Sequence, residues 1–416
     1  MTEPGDLAEL LTFLRRLGVA MCDAGDPVNQ TTERLQRIAD AYGADQVRLF
    51  VLPTGVFVRV GGPSGSADFS EATGSGLRLD QITRLYELIA DATVARVTPA
   101  EGLARLDEIR EAPPRFGTWT TLLGHVFFTV GVGLLVEPTL RAVGAFVVLG
   151  FGVGLLGLLA RRSRSLSLAL PVLASMLVTA IAYQVAGPWL NDTALRILIP
   201  PLVSFLPGAT LTMATVELAT GAMISGSARL VYGVSRLLLL AFGIAAGTQL
   251  AGAHEADVTK IAPLGAWAPW LGVAIFGLGV YFYFSAPTRS LLWLTLMLYV
   301  AYAGQYFGTL LIGARFSGFV GALVMTVAAY WLQRLPSAPP AQVLFLPAFW
   351  LLVPGALGLL SLTELATDVP IGARDAIGAL LTLVSIALGM LVGSSLGRYS
   401  FKDLMEVVPY RAARRR

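Results

Sequence analysis

One stretch of this chain occurs twice, and any fold must accommodate both copies. Residues 200–220 read PPLVSFLPGATLTMATVELAT and residues 347–367 read PAFWLLVPGALGLLSLTELAT, aligned without a gap at an offset of 147. Pro200, Pro207, Gly208, Ala209, Glu217, Leu218, Ala219 and Thr220 recur as Pro347, Pro354, Gly355, Ala356, Glu364, Leu365, Ala366 and Thr367. Both copies lie in long apolar runs, where Pro-Gly is unusual chemistry for a helix. Proline lacks the N–H that would bond four residues back, so free carbonyls are predicted at Val203 and Trp350, and the glycine loosens the next turn. In hydrocarbon a freed backbone group survives only against protein, water or a bound solute. A broken helix once in each half of a membrane protein points to a transporter's binding site.

The surrounding composition fits that setting. The chain has 416 residues, 55% hydrophobic and 14% charged, with a mean hydropathy of +0.69, which predicts an integral membrane protein. Polarity is concentrated in residues 1–115. Cys22 is the single cysteine, so no intrachain disulfide or cysteine metal cluster forms. The net charge of +3 and the terminal Arg414-Arg415-Arg416 suggest a membrane-facing tail and not nucleic-acid binding.

The first 115 residues read as a small cytosolic α+β domain. No signal peptide is expected, because the start is acidic and the next segment amphipathic. Leu7, Leu10, Leu11, Leu14, Leu17 and Met21 share one helical face. Asp26 reads as the N-cap of a second helix, with Pro27 at its first position and Val28, Thr31, Leu35, Ile38 and Tyr42 on the buried side. Strands are predicted at 46–51 and 56–60 around Pro53-Thr54-Gly55, and a third over 77–79. Residues 61–66 read as a loop. Asp80 is expected to cap the next helix, and Thr98-Pro99-Ala100-Glu101 to form a capping box. The domain has no histidine and no nucleophile–base pair, so a regulatory or assembly role is expected over catalysis.

The run CDAGDPVNQTTERLQRIADAYGADQVRLFVLPTGVFV resembles the N-terminal domain of the threonine/serine exporter (ThrE) family. The likeness rests on the small-residue-Gly-x-x-Val start from Ala24 to Val28, the amphipathic helix and the strands around Pro-Thr-Gly. The resemblance implies two following blocks of five membrane helices, sometimes encoded as separate chains, and small amino acids as solutes.

Ten spans of roughly 20 apolar residues can be marked: 119–137, 142–160, 167–186, 195–218, 228–251, 267–285, 291–307, 316–332, 345–365 and 377–396. The expected architecture is therefore a polytopic α-helical membrane protein of two inverted five-helix repeats, over 116–254 and 262–403, with a basic cytosolic tail at 404–416. Five spans per half force the second repeat to enter from the opposite side. Arg161, Arg162, Arg164, Arg229, Arg289, Arg334 and the tail then fall on the cytoplasmic side with both termini, the positive-inside pattern, while Arg315 and Arg374 depart from it.

The two breaks are expected to face each other near mid-bilayer. Half-helix N–H groups suit a carboxylate and unwound carbonyls suit an ammonium, which together complement a zwitterionic amino acid, or a solute with a carboxylate at each end. Ser204, Thr210, Thr212 and Thr215 surround the first break, against Trp350, Leu352, Leu357 and Leu359 at the second. The expected substrate-binding set is Ser204, Pro207, Gly208, Thr210, Pro354 and Gly355. Glu217, Glu364 and His125 are the candidates for proton coupling. For Glu217 and Glu364 the alternative is a helix-end carboxylate that preserves a turn, and for His125 a packing residue. Arg236 reads as a functional cation, a structural partner of Glu217, or a snorkel to the cytoplasmic face. Gly131, Gly133, Gly150, Gly152 and Gly154 read as close-packing surfaces.

These residues predict a plasma-membrane secondary exporter of small amino acids driven by protons, threonine and serine being what the resemblance implies, with no cofactor, no metal, no enzymatic activity and no nucleotide loop. A homo-oligomer is allowed. The first alternative is a dicarboxylate (succinate-like) exporter of the same fold, with Arg236 or Arg196 as a second cationic pole. A membrane-anchored enzyme or a sensor using residues 1–115 are further alternatives.

Overall fold

The computed structural model describes residues 4–44, 46–60, 67–72, 76–136, 139–185, 194–252, 264–335, 337–352 and 373–398. The N-terminal part consists of helices α1 (Pro4–Asp23), α2 (Val28–Ala41), α3 (Leu79–Thr93) and α4 (Pro99–Glu111) on a three-stranded antiparallel sheet. Its strands are β1 (Val47–Leu52), β2 (Gly55–Val60) and β3 (Ala67–Glu71), in the order β1-β2-β3. The hairpin closes where expected, with Leu52 opposite Gly55 and Val51 opposite Val56. Alternation sends Val47, Val51, Val56 and Val58 inward, against Leu10, Leu14, Leu17 and Met21 of α1.

Three local expectations need correction. The third strand is β3 and not 77–79. The backbone of 77–79 is spent elsewhere: Leu77 N–H donates to Asp23 O at 3.3 Å and Leu79 N–H to Phe284 O at 3.1 Å. Asp80 lies inside α3 and does not cap it; Arg78 N–H is taken by the Gln81 side chain at 3.0 Å, and the Asp80 carboxylate pairs with Arg78 at 3.1 Å. Asp26 does not cap α2 either, for reasons given below. The capping box of α4 forms as read, Thr98 accepting from Glu101 N–H and Glu101 from Thr98 N–H.

Apolar helices follow: α5 (Thr118–Val136), α6 (Leu140–Ala160), α7 (Arg164–Val185), α8 (Ala194–Leu202), α9 (Gly208–Ala219), α10 (Met223–Ala251), α11 (Ala268–Tyr283), α12 (Leu291–Ile312), α13 (Ser317–Leu332), α14 (Ala341–Leu351) and α15 (Ala373–Arg398). Among the described residues six helices are long and apolar enough to cross a membrane, and the α8–α9 pair makes a seventh span bent by 59°. The chain is a multi-pass helical membrane protein.

Helix pairs recur in order. The pairs α5–α6, α7–α10, α6–α8 and α7–α8 are matched by α11–α12, α13–α15, α12–α14 and α13–α14. The match extends to residues. A Cβ on Gly243 or Gly247 would strike the carbonyls of Val172 and Met176, and one on Gly389 or Gly393 those of Phe319 and Leu323, each carbonyl 147 residues further on. Helices α5 and α11 run antiparallel and exchange contacts at an offset of 148. Gly131 lies on the backbone of Phe276 and Gly279 on that of Phe128; Gly124 lies on Phe282 and Gly272 on Leu134. Glycine is required there because backbones touch. Gly133 and Gly150 are likewise close-packed, against Phe146 and Thr129, whereas nothing lies within 4 Å of a Cβ at Gly152.

The N-terminal part docks on one end of the helices. Leu79 and Asp80 N–H groups donate to Phe284 O and Ser285 O, and Gln342 donates to Ala24 O at 3.3 Å. Arg115 reaches Ala286 O. These contacts, with Val28 N–H on Glu217 and Arg229 on Asp26 O, place the ends of α9 and α11 and the starts of α10, α12 and α14 on the docked side.

Candidate functional site

The first Pro-Gly break is a real interruption. Helix α8 ends at Leu202, residues Val203–Phe205 make one 3₁₀ turn, and α9 restarts at Gly208. The carbonyl of Val203 is not left free, contrary to expectation: tightening into the 3₁₀ turn lets Leu206 N–H reach it at 3.1 Å. Pro207 (φ −82°, ψ 36°) precedes α9 without a capping side chain, so the first N–H groups, at Gly208, Ala209 and Thr210, have no capping side chain. Thr210 is half-buried, and Thr212 is buried with its hydroxyl unpartnered. Pro354, Gly355 and Glu364 lie outside the described residues, as do the predicted loop at 61–66 and the basic tail.

His125 stands directly against this break. It is 1% exposed, with Nδ1 2.8 Å from Gly150 O and Nε2 3.2 Å from Ser204 Oγ. A carbonyl only accepts, so Nδ1 carries the hydrogen; in the neutral ring Nε2 then accepts from the Ser204 hydroxyl. The ring is wedged edge-on against Tyr283 at 4.9 Å and lies 6.2 Å from Phe128. Phe128 in turn meets Trp350, which stacks on Phe284 at 4.2 Å. Two residues chosen separately from sequence, His125 and Ser204, are therefore one hydrogen-bonded pair. Gly150 was read only as a packing surface and Tyr283 was missed, since neither an interior carbonyl nor a tyrosine at a helix end carries a sequence signal.

Beside this pair a cleft of about 240 Å³ opens on the docked side, lined by Thr121, Leu122, Gly154, Gly157, Arg161 and Tyr283 among others. Gly157 of α6 leaves the space, since a Cβ there meets nothing within 4 Å, whereas Gly154 is close-packed, a Cβ there striking Leu122.

Glu217 has a different setting. It is fully buried near the end of α9, where Thr220 and Gly221 (φ +84°) turn the chain sharply: Ala222 N–H donates to Glu217 O and Gly221 N–H to Leu218 O. That turn brings Ser225 Oγ to 2.5 Å and Arg229 Nε to 3.1 Å from Glu217 Oε2. Oε1 accepts from Val28 N–H at 3.1 Å, the first residue of α2. The carboxylate thus caps a helix of the docked domain from the membrane part, in favourable line with the positive end of α2. Arg229 also donates to Asp26 O at 3.1 Å, and Asn29 to Thr220 Oγ1 at 2.9 Å.

Asp26, released from capping, accepts from Arg34 at 3.0 Å and from Tyr86 at 2.6 Å. Burial pushes its carboxyl above the ordinary value, against the pull of the Arg34 guanidinium. Arg236 is a correction of another kind. It is not paired with Glu217, whose cation is Arg229; it lies half-buried along α10 with its guanidinium 3.2 Å from the Tyr232 hydroxyl. Arg229 belongs to α10, which begins five residues earlier than read, and not to a loop. Among the described residues no His/Cys/Asp/Glu group could hold a metal ion.

Comparison with known proteins adds a frame. The family model of the threonine/serine exporters, ThrE, matches residues 12–251, more than half of the chain. A curated relative is the pheromone-regulated membrane protein 10 of Zygosaccharomyces rouxii, 26% identical over 230 residues, which cover 48% of this chain and 23% of that protein. The chain thus spans about a quarter of that relative's length. No solved structure matches.

Proposed function

The chain belongs to the threonine/serine exporter family, and we propose that it is a secondary exporter of small hydroxylated amino acids, threonine and serine, across the plasma membrane against a flow of protons. The observation that carries this reading is the His125–Ser204 pair at the broken span. A titratable ring bonded to the hinge couples protonation to the break, because a protonated imidazole can only donate and the Ser204 hydroxyl must then turn from donor to acceptor.

In this reading the chain has ten spans in two inverted repeats. Support comes from the recurring helix pairs and from the exchanged contacts of Gly131 with Phe276 and Gly279 with Phe128, as expected of a twofold axis between antiparallel helices. Both termini are cytoplasmic, so the docked side is the inner face. Ser204, Pro207, Gly208 and Thr210 supply the first half of the substrate site, Pro354 and Gly355 the second. His125 is the preferred proton carrier. Glu217 and its repeat Glu364 remain secondary candidates, Glu217 because its carboxylate already holds three partners.

The test is efflux from threonine-loaded proteoliposomes. Acid outside is expected to accelerate efflux at least tenfold, and His125→Gln to remove that response while efflux down the threonine gradient persists. A variant that still responds fully to the proton gradient takes the histidine out of the mechanism. Arg161 at the cleft favours a second reading, export of a dicarboxylate such as succinate. Competition by threonine, serine, succinate and malate separates the two.

A further inference from the structure

The exchanged glycine contacts allow each residue of the first half to be compared with its counterpart in the second. Thr129 meets Gly150 in α5–α6, and Gly277 meets Leu298 in α11–α12, again 148 residues on. At the same offsets the polar trio His125, Gly150 and Ser204 becomes Val273, Leu298 and Leu351, all buried and apolar. The fold therefore closes with hydrocarbon at these places, and the polar version is not a packing requirement.

The cleft has a counterpart too. Leu122, Gly154, Gly157 and Leu158 correspond to Trp270, Tyr302, Gln305 and Tyr306. Where the first half leaves a space, the second packs Trp270 edge-on against Tyr302 at 4.9 Å and within 5.8 Å of Tyr306, while Tyr299 hydroxyl holds Trp270 O at 2.9 Å. The two places lie at opposite ends of the helices, because Tyr283 and Arg161 sit at docked-side ends whereas Trp270 begins α11. One end holds a cleft, and at its equivalent three aromatic rings meet.

We propose that the cleft between α5, α6, α7 and α11 is the loading vestibule for a small carboxylic solute, anchored by Arg161 and Tyr283, and that Trp270, Tyr302 and Tyr306 close the equivalent exit. This rests on the exporter reading and names where its solute enters. At about 240 Å³ the cleft is smaller than the roughly 300–1,000 Å³ of drug-sized pockets, which suits a solute of few heavy atoms. Arg161 gives a carboxylate a charge-assisted partner, and Tyr283 joins the vestibule to the His125 ring.

Gly157 makes the proposal testable, because a Cβ there meets nothing within 4 Å. Gly157→Cys in membrane vesicles is expected to react with a membrane-impermeant maleimide from the docked side only, and threonine or succinate at saturating concentration to slow labelling at least fivefold. Threoninol, which lacks the carboxylate, is expected not to protect. Gln305→Cys is expected to stay unlabelled from the opposite side. Labelling of Gln305→Cys from that side, no labelling of Gly157→Cys, or protection by threoninol equal to that by threonine overturns the proposal. In transport, Gly157→Phe is expected to lower efflux more than tenfold with an unchanged Tm, and Gly152→Phe, equally unobstructed, to leave it intact. Arg161→Gln is expected to raise KM about tenfold at constant kcat; an unchanged KM removes the anchor. Carboxylate-protected labelling without any transport would sink the exporter reading and leave the vestibule standing.

Discussion

Single residues here are governed by whether a buried polar atom finds a partner. Cys22 is buried behind Leu52 O, to which its thiol donates at 3.4 Å, and burial pushes the thiol up to about 12 from an ordinary 9.0. At pH 8 the reactive thiolate is then about a thousandfold rarer than for a free cysteine. Iodoacetamide is expected to leave Cys22 unmodified for hours in the native protein at pH 8 and to alkylate it within minutes in denaturant. Rapid native alkylation would mean that α1 and β1 separate readily. Thr179 and Thr326 make the opposite case: they occupy equivalent places, both fully buried with unpartnered hydroxyls. An unpaired hydroxyl costs free energy that valine does not. Thr179→Val and Thr326→Val are each expected to raise stability by up to about 1 kcal/mol, read as Tm in detergent, and by similar amounts.

At the scale of elements, the turn from α9 to α10 joins the broken span to the docked domain. Glu217, Arg229 and Ser225 close a buried ion pair that also caps α2. Glu217→Gln leaves the Arg229 guanidinium buried without a counter-charge, a change that costs about 3–5 kcal/mol in buried pairs. The expected outcome is a lower Tm and faster proteolysis of the segment between α4 and α5, with both largely restored by adding Arg229→Met. Identical thermal and proteolytic behaviour of Glu217→Gln and wild type would show that the pair does not hold the domain.

For the whole molecule, the decisive surface is the antiparallel seam of α5 and α11. Any Cβ on Gly131 or Gly279 would sit closer than 3.0 Å to the facing backbone, which cannot retreat as a side-chain end can. Gly131→Leu and Gly279→Leu are each expected to destabilise by about 3 kcal/mol and to do so equally, because they occupy exchanged positions in one interface. The same seam predicts that residues 1–254 and 255–416, coexpressed as two chains, copurify, and that Gly131→Leu abolishes copurification. A twofold difference in Tm loss between the two single variants would argue against equivalence.

What the sequence determined alone is what depends on local chemistry. Apolar runs of spanning length, Pro207-Gly208 as a helix break, the Thr98–Glu101 box and the Pro53-Thr54-Gly55 hairpin are each set by covalent geometry or by the need to satisfy backbone groups nearby. What only the tertiary structure decided is partnership across distance. Glu217 was legible as a repeated carboxylate but not as the cap of α2, 189 residues earlier; His125 and Ser204 were legible as polar residues in apolar helices but not as a pair; Asp26 read as a cap because its competitors, Arg34 and Tyr86, approach only in the folded domain. The cleft was the least legible feature, since a space is made by what neighbouring helices omit, and Gly157 acquires that meaning only beside the aromatic rings that fill the equivalent place.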